Sequence, residues 1–270
     1  MLNIGWFSTG RGPGSRQLLE VVYKYIQSGE IDGIINYVFC NRELHENKET
    51  DIFFDQINEY NIPLVTFSSE KFKEELRSST GTVPPFEQRR IPYDREVMKR
   101  LNKYSPDICV LAGYMLIAGD EMCEAYKMIN LHPALPDGPK GTWQEVIWSL
   151  IENKAEQSGI MIHLATPDLD RGPVITYCTY PITGEQFSQY WKEIEGLSID
   201  TVKKEQGENS PLFQLIRKHG LSRELPLIVA TLKALSKNEV CIDSGNIFNK
   251  QGEQIKGYDL SNEINSMVDI

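Results

Sequence analysis

Asn130 and His132 stand two residues apart where the apolar run MINLH meets PALPDGPKG. In an extended segment, residues two apart share a face, so the carboxamide and the imidazole project the same way. An Asn amide donates to a developing oxyanion, and a His gives or takes a proton near neutral pH. The same pair equally suits a capping Asn beside a structural His, and the spacing alone leaves both open. A second stretch, HLATPDLDRGPVI (163–175), places Asp168 and Asp170 in a turn punctuated by Pro and Gly. A carboxylate there would orient His132 and raise its pKa, or would simply be solvated. His163, inside the apolar run, reads as a core or supporting residue.

A third stretch, STGRGPGSRQLLE (8–20), sets Gly10, Arg11, Gly12, Gly14 and Ser15 between an apolar run and a helix expected to begin at Ser15. Glycines permit a tight turn, and the free N–H groups of a helix start attract an anion such as phosphate. A structural turn is the other reading. The spacing is neither G-x-G-x-x-G nor a Walker A, and the second apolar run closes on VFCNRE rather than on an acidic residue. No Ser or Cys stands in a nucleophile elbow, and the four histidines, His45, His132, His163 and His219, lack H-E-x-x-H spacing. Metal catalysis and acyl-enzyme chemistry therefore have little support. An Asn, a His and an Asp at strand ends suit direct acyl transfer between two bound substrates.

These residues need a frame that brings strand ends together. Short apolar runs alternate with amphipathic stretches, the pattern of an α/β protein with a mostly parallel sheet flanked by helices. Strands are expected at Leu2–Ser8, Gly33–Cys40, Pro63–Phe67, Asp107–Ala112, Met128–His132, Gly159–Ala165 and Val174–Tyr180. Helices are expected in SRQLLEVVYKYIQ, YDREVMKRLNKY and TWQEVIWSLIENK. Ser68–Ile91, rich in Ser, Thr and Pro, reads as a long loop that closes over substrate. The pattern changes near Glu195. A polar linker over Leu197–Asn209, helices over Leu212–Lys218 and Leu225–Leu235, and a hairpin near Val240–Asn249 are expected. The chain thus divides into a catalytic domain, 1–195, and a small α+β annex, 196–270.

With 270 residues, 40% of them hydrophobic, the chain can bury a sizeable core. A net charge of −10 argues against a nonspecific nucleic-acid binder, though not against a local cationic pocket. The five cysteines are widely spaced, with no Cys-x-x-Cys. Cys40, Cys109 and Cys178 sit in apolar runs, as reduced core thiols do. No leader pattern and no apolar run of membrane-spanning length is evident. The expectation is a cytoplasmic protein, monomer or homodimer, bound neither to membrane nor to nucleic acid.

Taken together, VLAGYMLI (110–117), INLHPALP (129–136) and GIMIHLATPDLDRGPVI (159–175) resemble the folate-dependent formyltransferases. The resemblance runs from Met1 to about Tyr180 and is greatest to the branch that formylates glycinamide ribonucleotide in purine biosynthesis. It implies a Rossmann-like formyltransferase domain using 10-formyltetrahydrofolate as co-substrate, a phosphorylated amine as acceptor, and no metal. By position, Asn130, His132 and Asp170 match the family's catalytic Asn, His and Asp. Gly113, Tyr114, Met115, Leu116 and Ile117, with Thr166, Pro167, Asp168 and Leu169, match the two segments that line the folate pocket. Gly10, Arg11, Gly12, Gly14 and Ser15 match the substrate-phosphate loop, and Arg90 matches an arginine that binds the nucleotide substrate. The chain departs from the family in Pro13, in the shorter run after His132, and in Leu116 where the branch often carries Arg. The family's acidic residue near the amine finds its nearest candidate in Glu224. An amino sugar linked to a nucleotide is the alternative acceptor. A regulator that keeps the fold without turnover, and a dinucleotide oxidoreductase, are the rival classes.

Overall fold

The computed structural model describes residues 1–82, 85–167 and 171–268. The chain divides into two units, Met1–Asn130 with Leu164–Gly172 and Leu235–Lys237, and Leu131–His163 with Pro173–Ala234 and Asn238–Ile270.

The first unit holds β1 (Leu2–Ser8), α1 (Pro13–Gln27), β2 (Gly33–Cys40), α2 (Lys48–Glu59), β3 (Leu64–Thr66), α3 (Ser69–Thr80), α4 (Phe86–Leu101), β4 (Ile108–Leu111), α5 (Asp120–Ala125) and the start of β5 (Met128–His132). Its strands lie in the order β5-β4-β1-β2-β3, every pair parallel. Parallel strands with helices between them are buried on both faces and read as continuous apolar runs. In β1 every residue from Ile4 to Ser8 is buried, which is why its ends were legible. The core below these strands is aromatic: Phe7 meets Tyr37, Phe39 and Tyr114 at centroid distances of 5.3 to 6.1 Å. The expected mostly parallel α/β architecture is the one found.

Two expectations need correction here. Helix α1 begins at Pro13 rather than Ser15, because a proline fits the first turn, where an N–H has no helical partner. Among the described residues of 68–91, two helices stand in place of the expected long loop. The Ser68 hydroxyl accepts the Lys71 N–H at 3.0 Å and caps α3, and Phe72 packs edge-on against Phe67 and Tyr93. After a left-handed Gly81 the chain enters α4, which carries Arg90. A polar helix anchored by few apolar residues hides well among Ser and Thr. The closure expected of a loop loses its basis.

The second unit holds the last two residues of β5, α6 (Trp143–Glu152), β6 (Gln157–Leu164), β7 (Val174–Pro181), α7 (Glu185–Glu193), α8 (Ile199–Glu205), α9 (Pro211–Ser236), β8 (Val240–Asp243), β9 (Asn246–Asn249), β10 (Tyr258–Asp259) and α10 (Ser261–Met267). Strands β6 and β7 are antiparallel, and β10 lies parallel to β7 on its other side. Thr142 and Glu145 form a capping box at α6, whose apolar stripe packs with Phe187, Phe213 and Ile216. The expected linker contains α8, capped by Ser198. The two expected helices are one, α9, running through Pro226; Leu227, Ile228, Ala230, Thr231 and Leu232 are all buried there, and that packing outweighs the proline's missing N–H. The hairpin β8–β9 stands where expected. Beyond it the chain returns to β7: Leu260 N–H donates to the Tyr177 carbonyl at 2.9 Å, Thr179 N–H to the Ser261 hydroxyl at 2.9 Å, and the Asn265 amide to the Thr179 carbonyl at 2.8 Å. No described helix is long and apolar enough to cross a membrane.

Candidate active site

The glycine loop leaves β1 at its carboxyl end. Gly10 has φ +62, and a Cβ there would stand 2.7 Å from the Phe53 ring, so only glycine fits. Gly12 and Gly14 differ: a Cβ on either would meet nothing within 4 Å. Arg11 is exposed beside them and Ser15 is buried. No side chain caps the start of α1. An open, positively polarised helix start suits an anion.

One side chain ties this loop to the segment after β4. The Thr9 N–H donates to the Gly113 carbonyl at 3.1 Å, and its hydroxyl accepts the Met115 N–H at 2.9 Å while donating to Asn41 Oδ1 at 2.7 Å. Gly113 has φ +68, and a Cβ there would lie 3.0 Å from the Ser15 hydroxyl. The glycine loop and the 113–117 segment are therefore neighbours. Tyr114 turns its ring into the core between Phe7 and Phe39, whereas Met115 and Ile117 are exposed. Leu116 and Ile117 border a cavity of about 70 Å³ together with Tyr93, Asp94 and Arg90. Arg90 Nη2 reaches Asp120 Oδ1 at 3.3 Å, and Asp94 Oδ2 accepts the Gly119 N–H at 2.6 Å. Burial pushes the Asp94 carboxyl from 3.8 up to about 6, against the opposing pull of the Gly119 N–H and Arg90.

Asn130 and His132 occupy alternate positions at the carboxyl end of β5, the first half-buried in the first unit and the second buried in the second. His132 Nε2 lies 3.4 Å from the Pro139 carbonyl oxygen, and its ring meets His163 edge-on at 6.2 Å. A carbonyl oxygen only accepts, so that contact calls for a proton on Nε2. The run after His132 folds back through a turn closed by the Gly138 N–H and the Leu135 carbonyl, which brings Pro139 to the ring.

Asp168, Leu169 and Asp170 lie outside the described residues. On either side of them, Thr166 is half-buried and Pro167 exposed, and a Cβ on Gly172 would overlap the Leu164 carbonyl. That close approach is a physical reason for the glycine in LDRGP. Glu224, on α9, is paired with Arg217 at 2.9 Å, and Arg217 lies over the Trp143 ring at 4.3 Å. Sequence reasoning missed Thr9, Asn41 and Asp94. A threonine just before Gly10, at a strand end, was the available signal for the first. The partners of Asn41 and Asp94 lie too far away in sequence for any spacing rule.

Residues 13–193 match the formyl transferase family, and the chain belongs to that family. The match takes in Asn130, His132, Arg90 and the 113–117 segment, and begins after Gly10, Arg11 and Gly12. The chain is similar to the phosphoribosylglycinamide formyltransferase of Escherichia coli (strain K12), with 36% identity over 95 residues, 34% of this chain and 44% of that protein. It shares 31% identity with the Dictyostelium discoideum phosphoribosylglycinamide formyltransferase over 153 residues, 53% of this chain and 70% of that one. The matched stretch thus spans less than half the Escherichia coli relative's length. The structure of the Coxiella burnetii phosphoribosylglycinamide formyltransferase in complex with CHES has the same fold, with a TM-score of 0.62 over 96% of this chain and 98% of that one at 20% identity.

Proposed function

We propose that the chain transfers the formyl group of 10-formyltetrahydrofolate to the primary amine of glycinamide ribonucleotide, in purine biosynthesis. The observation that carries this reading is the Asn130–His132 alternation at the carboxyl end of β5, inside the family match. The exposed apolar Met115 and Ile117, beside backbone groups held by Thr9, suit a flat heteroaromatic ring. The open start of α1 suits the phosphate of the amine substrate.

In this reading the unprotonated amine attacks the formyl carbon, forming the new C–N bond. The Asn130 amide and protonated His132 stabilise the oxyanion that develops. Asp170 holds His132 in its charged form. Collapse breaks the bond to the folate nitrogen, and the proton shed by the amine ends on that nitrogen. Residues 1–195 carry the chemistry and 196–270 form the annex, in a cytoplasmic monomer or homodimer whose five cysteines are all free.

The test is to mix purified protein with 10-formyltetrahydrofolate and a panel of amines while following tetrahydrofolate release optically. Turnover with glycinamide ribonucleotide is expected. Turnover only with a nucleotide-linked amino sugar would reassign the acceptor, and none with any amine would reject the reading.

A further inference from the structure

We propose that Asp94 is a positioning residue that holds the 113–119 segment in the shape that receives the formyl donor; the link to that donor rests on the folate reading above. Helices α4 and α5 meet through three successive polar contacts. Asp94 takes the Gly119 N–H, Arg90 reaches Asp120, and Arg95 grips both carboxylate oxygens of Glu121. The outer two involve exposed groups, Asp120 at 63% and Arg95 at 63%, and exposed ion pairs hold little. Asp94 is 3% exposed, so the anchoring falls on it.

Gly119 fits this role. A Cβ there would stand 2.7 Å from Asp94 Oδ2 and 3.2 Å from Arg90 Nε, so the carboxylate can close on the N–H only because the side chain is absent. The far end of the same segment is tied by Thr9 to Gly113 and Met115. Met115 and Ile117 lie exposed between the two anchors. Tyr114, Leu116 and Ala118 pack against the aromatic core, and the hydrogen bonds at the two ends fix how the alternate residues, Met115 and Ile117, are presented. The carboxyl is also costly where it sits, since burial opposes its charge.

Wild type is compared with Asp94→Ala, Asp94→Asn and Gly119→Ala. Asp94→Ala is expected to raise KM for 10-formyltetrahydrofolate about tenfold, the loss of one buried hydrogen bond. Its kcat and its KM for the amine stay within about twofold. Asp94→Asn keeps an accepting oxygen and stays near wild type, while Gly119→Ala reproduces Asp94→Ala and adds nothing in the double variant. Without any substrate, amide hydrogen exchange over residues 113–121 quickens in Asp94→Ala and Gly119→Ala but not in Asp94→Asn. Unchanged exchange would overturn the anchor. Quickened exchange with unaltered folate KM, or an equal loss in every kinetic constant, would overturn its link to the formyl donor. A wild type that uses no folate, with exchange as expected, would reject the folate reading and leave the anchor standing.

Discussion

Thr9 and Met115, 106 positions apart in the chain, share a hydrogen bond of 2.9 Å from the Met115 N–H to the Thr9 hydroxyl. The same hydroxyl donates to Asn41, and the Thr9 N–H donates to Gly113. One buried side chain therefore aligns the carboxyl ends of β1, β2 and β4, where the glycine loop and the 113–117 segment begin.

Replacing Thr9 by Val keeps the shape and strands both partners. Leaving a buried polar group unpaired costs about 1–3 kcal/mol, so the urea midpoint falls with an unchanged slope. Thr9→Ser retains the hydroxyl and is expected to lose less than half as much. Equal loss in the two variants would show that the methyl, not the hydrogen bond, matters.

The glycines of the loop separate stability from binding. Gly10→Ala forces a side chain into φ +62 and against Phe53, a strain of about 1–2 kcal/mol from the backbone alone, read as a lower melting temperature. Gly14→Ala sits in α1 with open space around its Cβ, and stabilises by up to about 1 kcal/mol. Yet its methyl group stands before the helix start, and KM for the phosphorylated amine is expected to rise about tenfold. A stabilised Gly14→Ala with unchanged KM would remove phosphate from the loop.

Asn130→Ala tests the oxyanion role directly. Loss of one aimed donor lowers kcat by about 10²–10³, with circular dichroism and both KM values close to wild type. A variant that folds and turns over normally would reject the assignment.

Two buried groups give the stability opposite slopes with pH. His219 lies tilted against Phe187 at 4.8 Å, and neither of its ring nitrogens has a hydrogen-bond partner among the described residues. Burial first, then Arg223 and Lys218, lower its pKa from 6.5 to about 4. The unfolded chain binds that proton more readily, so stability drains away as pH falls from 6.5 to 4. Asp94 runs the other way. Its folded pKa is raised, the folded state holds the proton more readily, and stability drops as pH rises from 3.8 to about 6, by up to about 3 kcal/mol. Melting temperatures from pH 4 to 7.5 should show a shallower acid limb in His219→Phe. Asp94→Asn should gain stability relative to wild type near pH 7 and lose that gain near pH 4. An acid limb identical to wild type in His219→Phe would assign the acid loss to other groups.

Where apolar residues run together, the sequence was a faithful guide. Leu2–Ser8, Gly33–Cys40 and Met128–His132 are strands over the very residues expected, since most of their side chains are apolar and Asn41 and Pro133 follow the last two. α3 escaped because its few apolar residues, Phe72 above all, are diluted by charge. α9 was cut in two because Pro226 ordinarily ends a helix, and only tertiary burial shows that it does not. Among the candidate site residues, the places of Asn130, His132 and the glycines at strand and helix ends were legible from type and local spacing. Thr9–Met115 and Asp94–Gly119 were not, because each joins residues that meet only once the strands are assembled.

The return of residues 258–265 to β7 has a consequence for the protein's life in a crowded solution. VITYCTY is β-branched and aromatic, the composition that pairs readily with copies of itself when its edge is open. Tyr258 and Asp259 run alongside Thr176 and Tyr177, and Leu260, Ser261 and Asn265 occupy the Tyr177 carbonyl and both backbone groups of Thr179. Residues 258–265 thus cover an edge that copies of the strand would otherwise meet. Removing residues 256–270 should turn a monodisperse protein into one that self-associates in light scattering, and unchanged scattering would show that the edge needs no cover.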